Sequence, residues 1–264
     1  MLYIVSTPIG HPKDITLRAL EVLQDTEYII GEEQRVASTL LKKLNLSTKP
    51  LYVLNEHSQE SDLVELLKLC EEHRVALISD CGTPSFYDPG YQLVNRCRQK
   101  NIKVSAVPGA SSLMTLLSLV SQKITQFYFA GFLPADTQLR IKTFLELRTN
   151  QDAIILMDTP YRLLKLLEEL NQNFTKRQLL LGVNLTQDEE LVLEGTAKDL
   201  TVVLNKRGIE KAEFIILIYK NNADKIESFQ NSSSKPSLRL KQQRPSSQMN
   251  TQKQKPSLSR RRRS

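Results

Sequence analysis

The hydrophobic pattern of this chain alternates short apolar runs with longer stretches in which apolar residues return every three or four positions. The short runs read as buried strands near 2–7, 27–31, 50–54, 75–79 and 103–107. The periodic stretches read as helices near 14–24, 33–44, 60–72, 89–100 and 110–120. Strands and helices in strict alternation predict a mostly parallel sheet covered on both faces. A second unit starts at Phe127-Tyr128-Phe129-Ala130, followed by the turn Gly131-Phe132-Leu133-Pro134. Its further strands are expected at 153–157, 179–183, 190–194 and 213–219, with helices near 138–148, 161–170 and 197–206. The fold class is therefore α/β. It is expected as an N-terminal unit of residues 1–122, a C-terminal unit of 123–222 and a tail of 223–264.

Three strand ends of the first unit carry small residues where bulky ones would otherwise continue the core. Leu2 to Val5 runs into Ser6-Thr7-Pro8-Ile9-Gly10, and a helix signal opens at Asp14. Val75 to Ile78 runs into Ser79-Asp80-Cys81-Gly82-Thr83-Pro84, which closes on Asp88-Pro89-Gly90, a cap residue with proline at the first helical position. Val104 to Val107 runs into Pro108-Gly109-Ala110-Ser111. In open α/β sheets ligands bind outside the carboxyl ends of the strands, and small residues there let backbone N–H and C=O groups reach them. One such loop is an ordinary tight turn; three on one edge favour a binding crevice.

Charge changes the picture only at the end of the chain. The formal net charge is +7, yet all ten basic residues after Glu227 stand without an acidic partner, so residues 1–227 carry about −3. The tail is rich in Ser, Gln, Asn, Lys, Arg and Pro. Such a composition cannot bury enough apolar surface to offset its ordering entropy, so disorder is expected, and the tail reads either as a nucleic-acid tether through phosphate contacts or as a solubilising segment. No apolar stretch approaches the ~18 residues of a membrane helix. The chain opens at once on an apolar strand with no basic segment before it, so no signal peptide is expected and the location is expected to be cytoplasmic. Cys70, Cys81 and Cys97 are odd in number and follow no metal spacing, which points to a reducing compartment.

Candidate chemistry is sparse. The three histidines, His11, His57 and His73, are too widely spaced for a metal site, and there is no Walker loop and no GxGxxG. His73 ends a helix, where a cation suits the dipole. His57, in Asn55-Glu56-His57-Ser58, follows a strand on the candidate edge, as does Glu32-Glu33-Gln34-Arg35. Cys81 reads as a small filler, since no basic neighbour in sequence would activate it.

The ordered segments Thr7-Pro8-Ile9-Gly10, Asp14-Ile15-Thr16-Leu17-Arg18-Ala19-Leu20, Ser79-Asp80-Cys81-Gly82-Thr83-Pro84, Asp88-Pro89-Gly90, Pro108-Gly109-Ala110-Ser111 and Gly131-Phe132-Leu133-Pro134 resemble the ribosomal RNA small subunit methyltransferase I family of the tetrapyrrole methylase superfamily, over about residues 1–220. The resemblance implies two α/β domains with an S-adenosylmethionine cleft between them, a homodimer, and 2′-O-methylation of a cytidine ribose in the decoding region of 16S rRNA. It places the cofactor against Thr7, Pro8, Gly10, Asp80, Gly82, Thr83, Pro84, Pro108 and Gly109 and the Gly131 to Pro134 turn. It implies neither a metal nor a membrane. A ribose hydroxyl gains from a general base, for which Glu33 and His57 are the candidates, and Arg35 is expected to hold a phosphate. The chain departs from the family's pattern at Gly10-His11-Pro12, at Met157-Asp158-Thr159-Pro160-Tyr161-Arg162, and most at Val183-Asn184-Leu185-Thr186-Gln187. Two further readings stay open: a corrin-type methylase, which gives the basic tail no role, and a homologue that binds S-adenosylmethionine or RNA without chemistry.

Overall fold

The computed structural model describes residues 1–47 and 49–220, which form a single compact unit holding two sheets. The basic tail expected from residue 223 lies outside the described residues. The first sheet is parallel throughout: β1 (Leu2–Val5), β2 (Tyr28–Gly31), β3 (Leu51–Val53), β4 (Val75–Leu77) and β5 (Val104–Val107), in spatial order β3-β2-β4-β1-β5. Helices α1 (Leu17–Asp25) and α2 (Gln34–Lys43) seat Ala19, Leu23, Ala37 and Leu41 on Val5, Ile29 and Ala76 of one face. Helices α3 (Glu60–Glu72) and α4 (Gly90–Gln99) seat Leu63, Leu66, Cys70, Leu93 and Cys97 on Leu2, Ile30, Val75 and Leu77 of the other. Neighbouring β2 and β4 thus send their connections to opposite faces, the arrangement in which α/β sheets bind ligands outside the carboxyl ends of their strands.

The second sheet is mixed: β6 (Phe127–Phe132), β7 (Ala153–Met157), β8 (Leu179–Val183), β9 (Leu191–Gly195) and β10 (Phe214–Ile218), in the order β6-β7-β10-β8-β9. Only β6 and β7 pair parallel; β10 runs antiparallel to both its neighbours. Central β10 is buried on both faces, which is why it reads as a continuous apolar run rather than an alternating one. Helices α6 (Thr137–Thr149), α7 (Leu163–Asn173) and α8 (Ala197–Lys206) cover one face through a core that includes Phe144, Leu166, Leu170 and Leu204. Helix α5 (Ser112–Ser118), which follows β5, covers the other face, with Leu116 against Ile155, Leu180, Ile215 and Leu217. One short helix therefore ties the two sheets together.

Four local expectations shift. The helix expected from Asp14 opens at Leu17, because Pro12–Asp14 form a separate 3-10 turn and the Thr16 hydroxyl accepts the Ala19 N–H at 3.1 Å. Helix α4 starts at Gly90 with Pro89 in the cap position. Asp88, expected as the cap, instead accepts the N–H groups of Ser85 (2.8 Å) and Gly90 (2.9 Å) from one residue earlier. Pro160–Arg162 likewise form a 3-10 turn before α7 begins at Leu163. The turn expected at Gly131 is a strand: β6 runs on through Phe132 over a bulge at 129–131, with Gly131 at φ +65°. A Cβ on Gly131 would overlap the Tyr87 ring, so only glycine lets that ring close on the strand. His73 caps α3 and its Nδ1 lies 2.9 Å from Glu27 Oε2, the structural place expected of it.

Candidate active site

The three small-residue loops are bonded to one another. The Thr7 N–H donates to Gly82 O at 2.8 Å, and the Thr7 hydroxyl lies 3.3 Å from both Ser79 O and Gly82 O. The Ser6 and Thr83 hydroxyls are 2.8 Å apart, and Thr83 in turn donates to Ala110 O at 3.2 Å. Close approach is what the glycines permit. A Cβ on Gly109 would stand 2.9 Å from Ser6 Cβ, and one on Gly82, held at φ +79°, would point toward Ile9. At Gly10 a Cβ would come within 2.7 Å of Leu185 O, Thr186 Oγ1 and Gln187 Cγ, while the His11 N–H donates to Thr186 Oγ1 at 3.1 Å. The β1 loop therefore abuts the β8–β9 turn of the second sheet. Of the residues expected to hold a cofactor, Thr7, Pro8, Gly10, Gly82, Thr83, Pro84, Pro108 and Gly109 gather at this one edge. The segment Gly131–Pro134 approaches only the far end of the β4 loop, where Phe86, Tyr87, Phe129 and Phe132 form a ring cluster with centroids 5.3–5.7 Å apart.

Asp80 turns toward β2. Its Oδ1 accepts the Glu33 N–H at 3.2 Å, and desolvation, ahead of the Glu33 charge, pushes its carboxyl upward. Glu32 is also raised, first by desolvation and then by Asp80 and Asp88. Across the crevice Glu213, just before β10, is raised by desolvation. Local desolvation, then Glu213, Asp80 and Glu32, push the Cys81 thiol upward, so this cysteine is no thiolate nucleophile. Carboxylates that crowd one another in this way favour a cationic visitor.

Glu33 caps α2 with its side chain exposed, and Arg35 is exposed two residues on. His57 is exposed beside Glu56, 3.7 Å away. Its loop reaches the β2 loop through the Asn55 amide, which donates to Glu32 O at 3.5 Å. Among the described residues no hydrogen bond or ion pair joins Arg35 or His57 to Glu33 or Asp80. The structure thus brings the Glu33 backbone to Asp80, leaves the Glu33 carboxylate exposed, and leaves Arg35 and His57 on the rim.

Sequence reasoning missed Glu213, an isolated acid ahead of an apolar strand that carries no signal of its own. It also missed the buried Arg140. That guanidinium donates to Asp158 Oδ2 at 2.6 Å, to both Glu169 oxygens at 2.7–3.0 Å, and to Pro134 O at 3.3 Å. The Arg140 and Asp158 side chains are only 4% and 2% exposed, and their pair fastens the segment after β6 to the loop after β7.

Two α/β layers, with glycine-lined strand ends of one set against turns of the other, belong here to a chain of the tetrapyrrole methylase class. Residues 1–201 match the model of the Tetrapyrrole (Corrin/Porphyrin) Methylases. A diphthine synthase shares the fold at TM-score 0.63 and 15% identity over 83% of this chain and 89% of that one. A cobalt-precorrin-4 methyltransferase shares it at TM-score 0.60 and 17% identity, over 83% and 94%. The ribosomal RNA small subunit methyltransferase I of Rickettsia prowazekii is 38% identical over 83% of this chain and 78% of its own. That of Neisseria meningitidis serogroup B is 35% identical over 86% and 78%. The chain belongs to the ribosomal RNA small subunit methyltransferase I family within the tetrapyrrole methylases.

Proposed function

We propose that this chain methylates the 2′-hydroxyl of a cytidine ribose in the decoding region of 16S rRNA, with S-adenosylmethionine as donor. The observation that carries the reading is the cluster of small-residue loops bonded together at one edge of the first sheet. Its glycines and small residues allow a flat adenosine close to the backbone, and Glu32, Asp80 and Glu213 supply carboxylates for a sulfonium and an ammonium. When bound, S-adenosylmethionine supplies a methyl group on a positively charged leaving sulfur. Thr7 to Gly10, Asp80 to Pro84 and Pro108 to Ser111 would hold it, with Gly131 to Pro134 at the far end. The protein's remaining task is to set the ribose hydroxyl in line behind that methyl and to take its proton. Glu33, beside Asp80, and His57 on the rim are the proposed bases, and Arg35 the proposed phosphate contact. Micromolar calorimetric binding of S-adenosylmethionine and S-adenosylhomocysteine is the expected result; a folded protein that binds neither would end the reading. If Glu33→Gln and His57→Ala each keep turnover within about threefold of wild type, neither is the base.

The working form is proposed as a cytoplasmic homodimer, with the two sheets marking units 1–122 and 123–222. Strand β6 is an edge of its sheet and carries no charged residue, and Phe86, Tyr87, Tyr128 and Phe132 stand exposed on or against it. An aromatic edge strand without charge suits a second copy of this chain better than a phosphate backbone. Tyr128→Lys is expected to shift the sedimentation mass from dimer to monomer; a monomeric wild type refutes the assignment. Among the described residues no helix is long and apolar enough to cross a membrane.

A further inference from the structure

A second cavity, of about 540 Å³, opens beside the crevice on the same edge of the second sheet. Its walls come from three connections: the β7–α7 turn with Tyr161, the β8–β9 turn with Asn184 and Glu189, and the α8–β10 connection with Glu210, Lys211 and Ala212. The β8–β9 turn is the element that meets Gly10 and His11 on its other side. Ala212 also precedes Glu213, whose charge reaches Cys81 in the crevice. The cavity and the crevice therefore share two walls.

The cavity's polar groups are unspent. Among the described residues the Asn184 amide and the Glu189 and Glu210 carboxylates make no hydrogen bond or ion pair. Lys211 Nζ sits 5.3 Å from the Tyr161 ring centroid and makes no ion pair among those residues. Tyr161 is 78% exposed, so the face away from Lys211 is open. The Asn184 backbone is pinned at φ +46°, with its N–H donating to Glu213 O at 2.8 Å, which fixes where the amide emerges.

We propose that this cavity is a second RNA subsite that takes an unpaired nucleobase bearing an exocyclic amino group, cytosine or adenine, next to the methylated nucleotide. The Tyr161 ring stacks the base; the Asn184 amide oxygen accepts one amino N–H while its NH2 donates to the acceptor ring nitrogen beside that group, where guanine has an N–H instead, and a carboxylate accepts the second amino N–H. Lys211 completes the stack from the opposite face of the ring and is the only cation among the described residues that line the cavity. Two carboxylates against one ammonium disfavour a phosphate here and favour a neutral base. The identity of the strand as 16S rRNA rests on the function proposed above.

The test uses the full chain. Tyr161→Ala is expected to raise KM for small ribosomal subunits about 10- to 100-fold, the loss of one base stack. The turnover number and the affinity for S-adenosylhomocysteine should stay within about twofold, and Tyr161→Phe should behave as wild type. An unchanged KM in Tyr161→Ala, with wild type active, overturns the subsite. An RNA dodecamer carrying 5-iodocytidine, irradiated with wild-type protein, is expected to cross-link the peptide that contains Tyr161. Cross-links found only elsewhere overturn it as well. Should wild type transfer no methyl group to small subunits, the proposed function fails, and the cross-link alone then decides for or against a base site at Tyr161.

Discussion

Replacing Gly10 by alanine tests whether the crevice depends on contact between the β1 loop and the β8–β9 turn. The added Cβ would stand 2.7 Å from Leu185 O, Thr186 Oγ1 and Gln187 Cγ. Gln187 can rotate away, but Leu185 O is backbone, and the turn is held by the Asn184 N–H to Glu213 O bond at 2.8 Å and by Thr186 N–H to Glu190 Oε2 at 2.7 Å. The loop and turn must separate by several tenths of an ångström. Overpacking of this kind costs roughly 1–3 kcal/mol. If that cost falls on the closed crevice, affinity for S-adenosylhomocysteine drops about 5- to 150-fold. Calorimetric titration reads it directly, with thermal unfolding in parallel. Gly208→Ala is the control: φ is +66° and nothing lies within 4 Å of the new Cβ, so it strains the chain without pushing on the crevice. It should lower Tm by a few degrees and leave affinity alone. Binding by Gly10→Ala within twofold of wild type would refute the argument that these two elements form one site.

Three other outcomes follow from the same geometry. Arg140→Leu leaves Asp158 and Glu169 without their cation in a buried place, so stability should fall by about 3–5 kcal/mol, seen as a loss of roughly 6–20 °C in Tm. The Glu32 carboxyl binds its proton more tightly folded than unfolded, so its contribution favours the fold below about pH 4.5 and is lost as pH rises through the raised value. Glu32→Gln should therefore raise Tm at pH 7 and leave it unchanged at pH 4; no difference at either pH would show the site is not desolvated. Removing residues 228–264 should weaken RNA binding and reduce the log–log salt slope by about 0.7 for each lost phosphate contact, and an unchanged slope would leave the tail only a solubilising part.

The fold was legible because period and length decided each element. β7 and β8 lie at 153–157 and 179–183, and α8 at 197–206, where the apolar pattern put them. Strand ends were legible too, since Gly and Pro in sequence mark where backbone approaches backbone. What stayed hidden depends on distance in space. Glu33 and His57 look equivalent in sequence, both just past a strand, yet only Glu33 meets Asp80, and through its backbone N–H rather than its carboxylate. Asp88 missed the helix cap by one residue because its carboxylate serves two N–H groups at once. Gly131 read as a turn because the residue that requires glycine there, Tyr87, is 44 positions away. Tyr161 and Asn184 stood out only as members of two segments that depart from the family's pattern; that they share one cavity with Lys211 depends on distance in space.

The central claim is most directly tested by incubating the purified protein with isotopically labelled S-adenosylmethionine and small ribosomal subunits that lack ribose methylation, then digesting the 16S rRNA for mass spectrometry. Label on the 2′-oxygen of a cytidine, at one position and dependent on an intact Gly10, is the predicted result. Label on a base, or none from a protein that binds S-adenosylhomocysteine, would contradict it.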